Sequence, residues 1–349
     1  MKILLLNEGY SDNLGDQVIN DSLHYLLKNN GIINIDFQDF TKNINKPREI
    51  SIKNKKTIKF FFILKILKKI VPSKIKWLIQ NINRVIKISR HDYDLVIIGG
   101  GQLILSNATF SIAMFLWIFL LKSFRNKKII LFAVGSGTKF NFLDKILYQY
   151  ILKSVSKIYV RDHNSKKILK YIFDIDTTLV YDVAFIHSRI FNKVRNPQEN
   201  ILLGVISFDV YKRYNKNNIS EEYFFETWIQ LLNKNSINIE NIQLFYTTQS
   251  DRTASLKFKN YISSEYQIDL EIVETSTKDK LIDELNKAKL VISARMHALI
   301  LGFTYKCEII TYPVSDKLIE FDRMIHDNHK LENIQNNIEI RLKEILYDK

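Results

Sequence analysis

Apolar and polar positions alternate along this chain in blocks that read as strand, polar loop, helix. Lys2-Ile3-Leu4-Leu5-Leu6 is a short apolar run, the pattern of a strand buried on both faces of a parallel sheet. A polar, glycine-bearing turn follows from Asn7 to Gln17. Val18, Ile19, Leu23, Leu26 and Leu27 then share one helical face. Further strands are expected at 34–38, 94–98, 128–134, 157–160 and 177–181, with a helix over 166–173. A second set of the same kind follows. It comprises strand 201–207, helix 220–234, strand 242–247, strand 270–273, helix 278–288, strand 289–292 and strand 307–312, and then a charged helical stretch, 318–347.

Strands alternating with helices predict an α/β fold with parallel sheets. The polar stretch 190–200, which contains Pro197, separates the two sets. The expected organisation is therefore an N-terminal α/β domain over 1–192, a C-terminal α/β domain over 198–325 and a terminal helix over 326–349. At 349 residues the chain exceeds the usual size of a single core, in keeping with two domains.

Charge changes this picture in one place. The formal net charge is +14, and residues 41–90 hold 15 Lys and Arg against one acid, Glu49. The remainder is neutral. Within that segment Ile58–Val71 and Ile75–Ile86 have helical apolar periodicity, so a basic amphipathic helical insertion is expected in the first domain. Two readings of residues 58–88 stay open. They meet an anionic membrane surface, or they pack on the protein beneath a solvated row of lysines. No nucleic-acid motif accompanies the charge, so nucleic acid is not an expected partner. The run Ala108–Leu121, with 14 residues, is too short to span a bilayer. A single cysteine, Cys307, leaves no internal disulfide and no cysteine-based zinc cluster, and a reducing, cytoplasmic setting is expected. No metal-ligand spacing, nucleophile elbow or phosphate-binding P-loop is present.

Candidate chemistry sits where the expected strands end. Asn13, Gly15 and Asp16 lie in the first loop, where Asn13 and Asp16 also suit helix capping. Gly99, Gly100 and Gly101 follow the third strand and permit close approach of a ligand or of another backbone. Arg161 and Asp182 close two further strands. Ser293-Ala294-Arg295-Met296-His297-Ala298 joins a strand to a helix start, where free backbone N–H groups favour an anion. There Arg295 suits a carboxylate or phosphate, and His297 suits a proton donor or phosphate partner. Lys317 lies beyond the final strand. The carboxyl ends of parallel strands line one crevice, so these residues are expected to meet in a cleft between the domains.

N-L-G-D at 13–16, D-L-V-I-I-G-G-G at 94–101, V-R-D…S at 160–165, Y-D-V-A-F at 181–185 and S-A-R-M-H-A at 293–298 together resemble the polysaccharide pyruvyl transferase family. The resemblance runs from about residue 1 to 325. It implies two Rossmann-like domains in a glycosyltransferase-B-like arrangement. It also implies transfer of a pyruvyl group from phosphoenolpyruvate to a sugar of a cell-surface polysaccharide, or of its lipid-linked precursor, forming a ketal. On that reading Arg295, His297 and Asp16 are catalytic. Asn13, Gly15, Gly99, Gly100, Gly101, Arg161, Asp182, Ser293 and Lys317 bind substrate, with no cofactor or metal. Arg295 forks onto one anionic group and Arg161 serves another. Asp16 or Asp182 accepts a hydroxyl proton. The chain departs from the family at Ser207-Phe208-Asp209, where an Arg is often found and here follows only at Arg213. The insertion at 41–90 also has no counterpart in the pattern, and would suit an enzyme at the inner membrane face. Two other functions fit the same residues: a sugar-nucleotide-dependent glycosyltransferase on this fold, and a non-catalytic membrane-associated scaffold.

Overall fold

The computed structural model describes residues 1–44, 46–50, 72–107, 109–125, 127–191, 198–215, 218–326 and 330–347. Two parallel sheets organise them. The first has six strands: β1 (Lys2–Asn7), β2 (Asn34–Asp39), β3 (Leu95–Gly99), β4 (Ile129–Val134), β5 (Lys157–Val160) and β6 (Thr178–Leu179), in the order β2-β1-β3-β4-β5-β6. The second has β7 (Asn200–Gly204), β8 (Ile242–Leu244), β9 (Glu271–Ile272), β10 (Ala288–Ser293) and β11 (Glu308–Thr311), in the order β11-β10-β7-β8-β9.

Burial on both faces explains the uninterrupted apolar runs. All residues of β3 and β4 are buried. Side chains alternate across a strand, so neighbours join different cores. Ile3, Leu5 and Ile97 enter a core that continues into the second domain, whereas Leu4, Leu6 and Ile98 face the helices Ser73–Ser89, Phe110–Arg125 and Phe142–Ser154. The apolar run at 110–121 is thus a buried helix, with Trp117 and Leu121 fully covered. Among the described residues no helix is long and apolar enough to cross a membrane.

Several elements end earlier than their apolar runs. The strand expected over 201–207 stops at Gly204, because Ser207 precedes a short helix, Phe208–Tyr214. The strand expected over 242–247 stops at Leu244. Beyond it the Tyr246 N–H bonds the Thr275 hydroxyl at 3.1 Å, and Thr248 caps the helix Gln249–Tyr266. The charged stretch 318–347 divides into helices Asp316–His326 and Leu331–Tyr347. The second of these returns to the first domain, where Tyr347 donates to the Asn30 carbonyl at 2.8 Å. A 3-10 helix, Val183–Arg189, was not expected. Asp182 starts it by accepting from the Ala184 N–H at 3.0 Å.

Residues 51–71, a part of the expected insertion, lie outside the described residues, so the insertion as a whole is not established. Its described helix is Ser73–Ser89, which packs only part of its apolar stripe inward. Trp77, Asn81, Val85 and Ser89 are buried, while Ile75 and Ile79 are exposed. Polar anchoring decides the rotation. The Trp77 indole donates to the Thr41 carbonyl at 2.5 Å, and Arg84 donates to the carbonyls of Asp39 and Lys42 at 2.9 and 2.5 Å. Arg84 is therefore a structural cation and no part of a solvated basic face.

Asp144 ties three helices together. Its carboxylate accepts from Lys74, from Ser106 at 2.5 Å, from Ser111 and from the Asn141 amide at 2.8 Å. Burial works against its charge, but Lys74 and the two hydroxyls outweigh burial and lower its pKa from 3.8. A group with a depressed folded pKa stabilises the fold above its unfolded value, and loses that contribution as pH falls through the folded one. Replacing Asp144 with Asn is expected to cost about 3 kcal/mol near neutral pH. The gap in Tm between wild type and D144N should close as pH drops below 3.8. Thermal unfolding across pH checks this, and a gap that stays constant into acid would refute the role.

Candidate active site

Each sheet has one point where strand order reverses, between β1 and β3 in the first and between β10 and β7 in the second. Loops leaving such strands diverge and open a crevice at the carboxyl ends. Here the two crevices face each other around a cavity of about 270 Å³. Asn13, Asp16, Gly100, Gly101 and Arg161 line it from the first domain, and Arg295, His297 and Lys317 from the second.

Two helix N-termini meet at this cavity. Asn13 caps the helix Leu14–Asn29 by accepting from the Gly15 N–H at 3.1 Å. Opposite it begins the helix Met296–Thr304, with Arg295 in the cap position. The Leu14 N–H crosses to the Thr247 carbonyl at 3.0 Å and closes the seam. His297 reaches across because residue 15 is glycine: a Cβ there would stand 2.4 Å from the imidazole Nδ1. Gly15 thus makes room for His297 rather than lining the cavity. Gly100, at φ +74, is also obligatory, since a Cβ would meet Ile19 at 2.1 Å. Gly99 lies within β3, where a Cβ would meet the Phe132 carbonyl at 2.5 Å. Ser293 is buried and organises the second helix start, accepting from the Arg295 N–H at 3.1 Å and donating to the Gly204 carbonyl at 3.3 Å.

The buried charges form a chain behind the wall. Arg161 donates to the Asp182 carboxylate at 2.5 Å and stands 3.3 Å from His297 Nε2, which is 3.5 Å from the same carboxylate. Burial alone would push the Asp182 carboxyl up. The charge of Arg161 and the hydrogen bond from His297 overcome burial and hold it well below the usual carboxylate range. Asp182, covered by these partners, orients Arg161 and His297, and the expected role as acceptor of a hydroxyl proton does not suit it. Asp16 does line the cavity. Its carboxylate accepts from Ser11 at 3.0 Å, and burial raises its pKa.

Arg295 is also engaged differently from the expectation. Its Nε and Nη2 grip Asp251 at 2.9 and 2.6 Å, so the fork expected for a substrate anion is occupied by a carboxylate of the same domain. Arg295 still lines the cavity. Lys317 donates to the Gln102 side chain across the cleft at 2.5 Å, and burial beside Arg161 lowers its pKa to about 8.

Two acids were not foreseen. Asp251 could have been found from the cap signal Thr248-x-x-Asp251, in which the Thr248 hydroxyl accepts from the Asp251 N–H at 3.1 Å. Glu8 lines the cavity and accepts from Thr41 at 2.5 Å. Burial, reinforced by the nearby Asp39, pushes Glu8 up to about 7. Nothing in the loop's own composition announces this, because Asp39 ends β2 and Thr41 lies just beyond it. Among the described residues no group of three His, Cys, Asp or Glu side chains is placed to hold a metal.

The same residues connect the chain to known proteins. A family model for polysaccharide pyruvyl transferase matches residues 13–316, a span that takes in Asp16, Arg161, Asp182, Arg295 and His297. The chain belongs to the polysaccharide pyruvyl transferase family. No curated protein matches this member of the family. Solved structures place its fold among glycosyltransferase-B-like proteins. UDP-N-acetylglucosamine 2-epimerase from Rickettsia bellii superposes with a TM-score of 0.54 at 10% identity, covering 100% of this chain and 96% of that one. UDP-GlcNAc 2-epimerase from Methanocaldococcus jannaschii, in complex with UDP-GlcNAc and UDP, gives 0.52 at 11% identity, covering 100% of both chains. S. aureus MnaA, in a co-structure with UDP, gives 0.51 at 12% identity, covering 100% and 97%.

Because burial beside Arg161 lowers the Lys317 pKa, a small anion bound beside this amine is expected to be held in a pH-dependent way. The amine is cationic below about 8 and neutral above it, so affinity for a small dianion should fall as pH rises through that value. Thermal stabilisation by inorganic phosphate should be weaker at pH 9 than at pH 7, and Lys317→Arg should flatten the dependence. Equal stabilisation of the wild type at both pH values would sink the assignment.

Proposed function

We propose that this chain transfers the pyruvyl group of phosphoenolpyruvate to two hydroxyls of one sugar in a cell-surface polysaccharide or its lipid-linked precursor. The products are a ketal and inorganic phosphate. The observation that supports this reading best is the convergence of Arg161, His297, Arg295 and Lys317 on one cavity that also presents Asp16 and Glu8. Phosphoenolpyruvate carries a phosphate and a carboxylate on a three-carbon frame, so its binding calls for several cations close together. Two helix N-termini aimed at the same space add favourable dipoles.

A proton added to the methylene carbon makes a methyl group and leaves C2 electron-poor. One sugar hydroxyl attacks C2 and gives up its proton. The C2–O bond to phosphate breaks with its electron pair on the phosphate, and the second hydroxyl closes the ketal as its proton passes to that phosphate. Glu8, poised near 7, suits delivery of the first proton. Asp16, facing the cavity, suits removal of a hydroxyl proton. His297, held between Arg161 and Asp182, suits the departing phosphate. Arg161 and Lys317 neutralise the donor's two anionic groups. We place this reaction in the cytoplasm, with the enzyme peripheral to the inner membrane face when the acceptor is lipid-linked.

A second reading stays in view because two of the superposed structures contain UDP or UDP-GlcNAc. The cation cluster would then bind a diphosphate, and the chain would be a sugar-nucleotide-dependent transferase. Ligand stabilisation separates the two, since a ligand that binds only the native state raises its melting temperature. Phosphoenolpyruvate is expected to stabilise the protein more than UDP-GlcNAc at equal concentration. Incubation with phosphoenolpyruvate and an acceptor glycan is expected to release phosphate and yield an acid-labile pyruvyl ketal. Release of UDP without phosphate would overturn the proposal in favour of the second reading. Absence of turnover with either donor would favour a non-catalytic scaffold. His297→Gln should lower kcat/KM by about 100-fold or more with the fold intact. Asp16→Asn should reduce kcat while leaving the KM for phosphoenolpyruvate near wild type. Steady-state kinetics with circular dichroism checks both.

A further inference from the structure

The helices Ser73–Ser89, Phe110–Arg125 and Phe142–Ser154 lie side by side over one face of the first sheet. Their outward surfaces are unusually apolar. Phe142 is 82% exposed and Ile79 68%, and Leu143, Ile146, Tyr150, Ile75 and Phe119 are exposed as well. On the Phe142 helix the exposed positions 142, 143, 146 and 150 share one face. Aromatic contacts join this helix to its neighbour: Phe115 stacks on Phe119 at 5.5 Å and meets Tyr150 at 5.8 Å. Apolar side chains in such a group mark an interaction surface.

Charge indicates what that surface meets. The three helices contain one acid, Asp144, and eight Lys and Arg, of which Arg84 is bonded to backbone carbonyls and Lys74 to Asp144, leaving six. That acid is buried and paired with Lys74, so it gives the outer surface no negative charge. Exposed phenylalanine and isoleucine among unopposed lysines suit an anionic bilayer, where apolar side chains enter the interface and lysines meet headgroups.

Position relative to the cleft carries the argument further. A second cleft, of about 710 Å³, runs along Ser106, Asn107 and Lys139. It shares Gln102, Tyr214 and Lys317 with the cavity described above. Ser106 on its rim donates to Asp144 at 2.5 Å and accepts from the Asn141 N–H at 3.1 Å. Phe142 is the next residue, so the apolar surface begins where the cleft rim ends.

We propose that this three-helix surface seats on an anionic lipid bilayer, and that the adjoining cleft takes the saccharide of a lipid-borne acceptor presented there. The bilayer contact stands independently of the donor. The acceptor's role rests on the function proposed above.

Sedimentation with vesicles tests the contact, using phosphatidylcholine alone and phosphatidylcholine mixed with phosphatidylglycerol. Wild type should pellet with the mixed vesicles only. The triple variant Ile79→Ser, Phe142→Ser, Ile146→Ser should lose about tenfold or more in vesicle affinity. Because these side chains are exposed, its melting temperature and its turnover on a lipid-free saccharide acceptor should match wild type. Wild type that stays in the supernatant, or a triple variant that binds equally well, would overturn the proposal. So would a wild-type dimer that the variant breaks, since the surface would then serve a second copy of the chain. Vesicle binding without any phosphoenolpyruvate turnover would leave the bilayer contact standing and reject the enzymatic reading. Turnover of a soluble acceptor without vesicle binding would do the reverse.

Discussion

Two helices begin at one cavity from opposite domains, and the closeness of their ends governs what the site can be. Helix starts carry unpaired N–H groups and positive dipole ends, so bringing two together costs energy unless something anionic joins them. Asp16 and Asp182 supply part of that negative charge from within the protein. The cations Arg161 and Lys317, beside the His297 imidazole, then restore a demand for an external anion. The contact of His297 with Gly15 sets the spacing. A side chain of any size at residue 15 would hold the two helix starts apart and take the imidazole away from Asp182 and Arg161.

Much of this architecture was legible from the chain alone. The strands at 2–7, 95–99 and 129–134 are buried on both faces, so their apolar runs stand out without reference to anything distant. The site loops were legible for a topological reason: in parallel sheets every loop after a strand opens on the same edge. The residue types also pointed to anions, since Arg161, Arg295, His297 and Lys317 all sit just beyond strands.

What was not legible depends on long-range neighbours. Arg295 reads as a free fork, and only the fold brings Asp251 against its Nε and Nη2. Asp182 reads as a base, and only the fold covers it with Arg161 and His297. Glu8 reads as a polar turn residue until burial beside Asp39 moves its proton affinity toward neutrality. In the helix Ser73–Ser89 periodicity identified the helix and not its rotation. Anchors to the backbone at Asp39, Thr41 and Lys42 fix the rotation that leaves Ile75 and Ile79 exposed.

The two strongest ion pairs at the cavity share a property: each lies within one domain. Arg161 and Asp182 both follow strands of the first sheet, and Arg295 and Asp251 both belong to the second. The contacts that span the cavity are weaker ones, His297 with its two partners and Lys317 with a neutral amide. If the domains part at this mouth, neither half carries away a stranded buried charge. Admission of a bulky glycan therefore needs no prior proton transfer and no ion to follow the moving domain. Opening at this mouth loosens one imidazole and one amine, together with the Leu14–Thr247 backbone bond and the Lys278–Asp21 ion pair along the same seam.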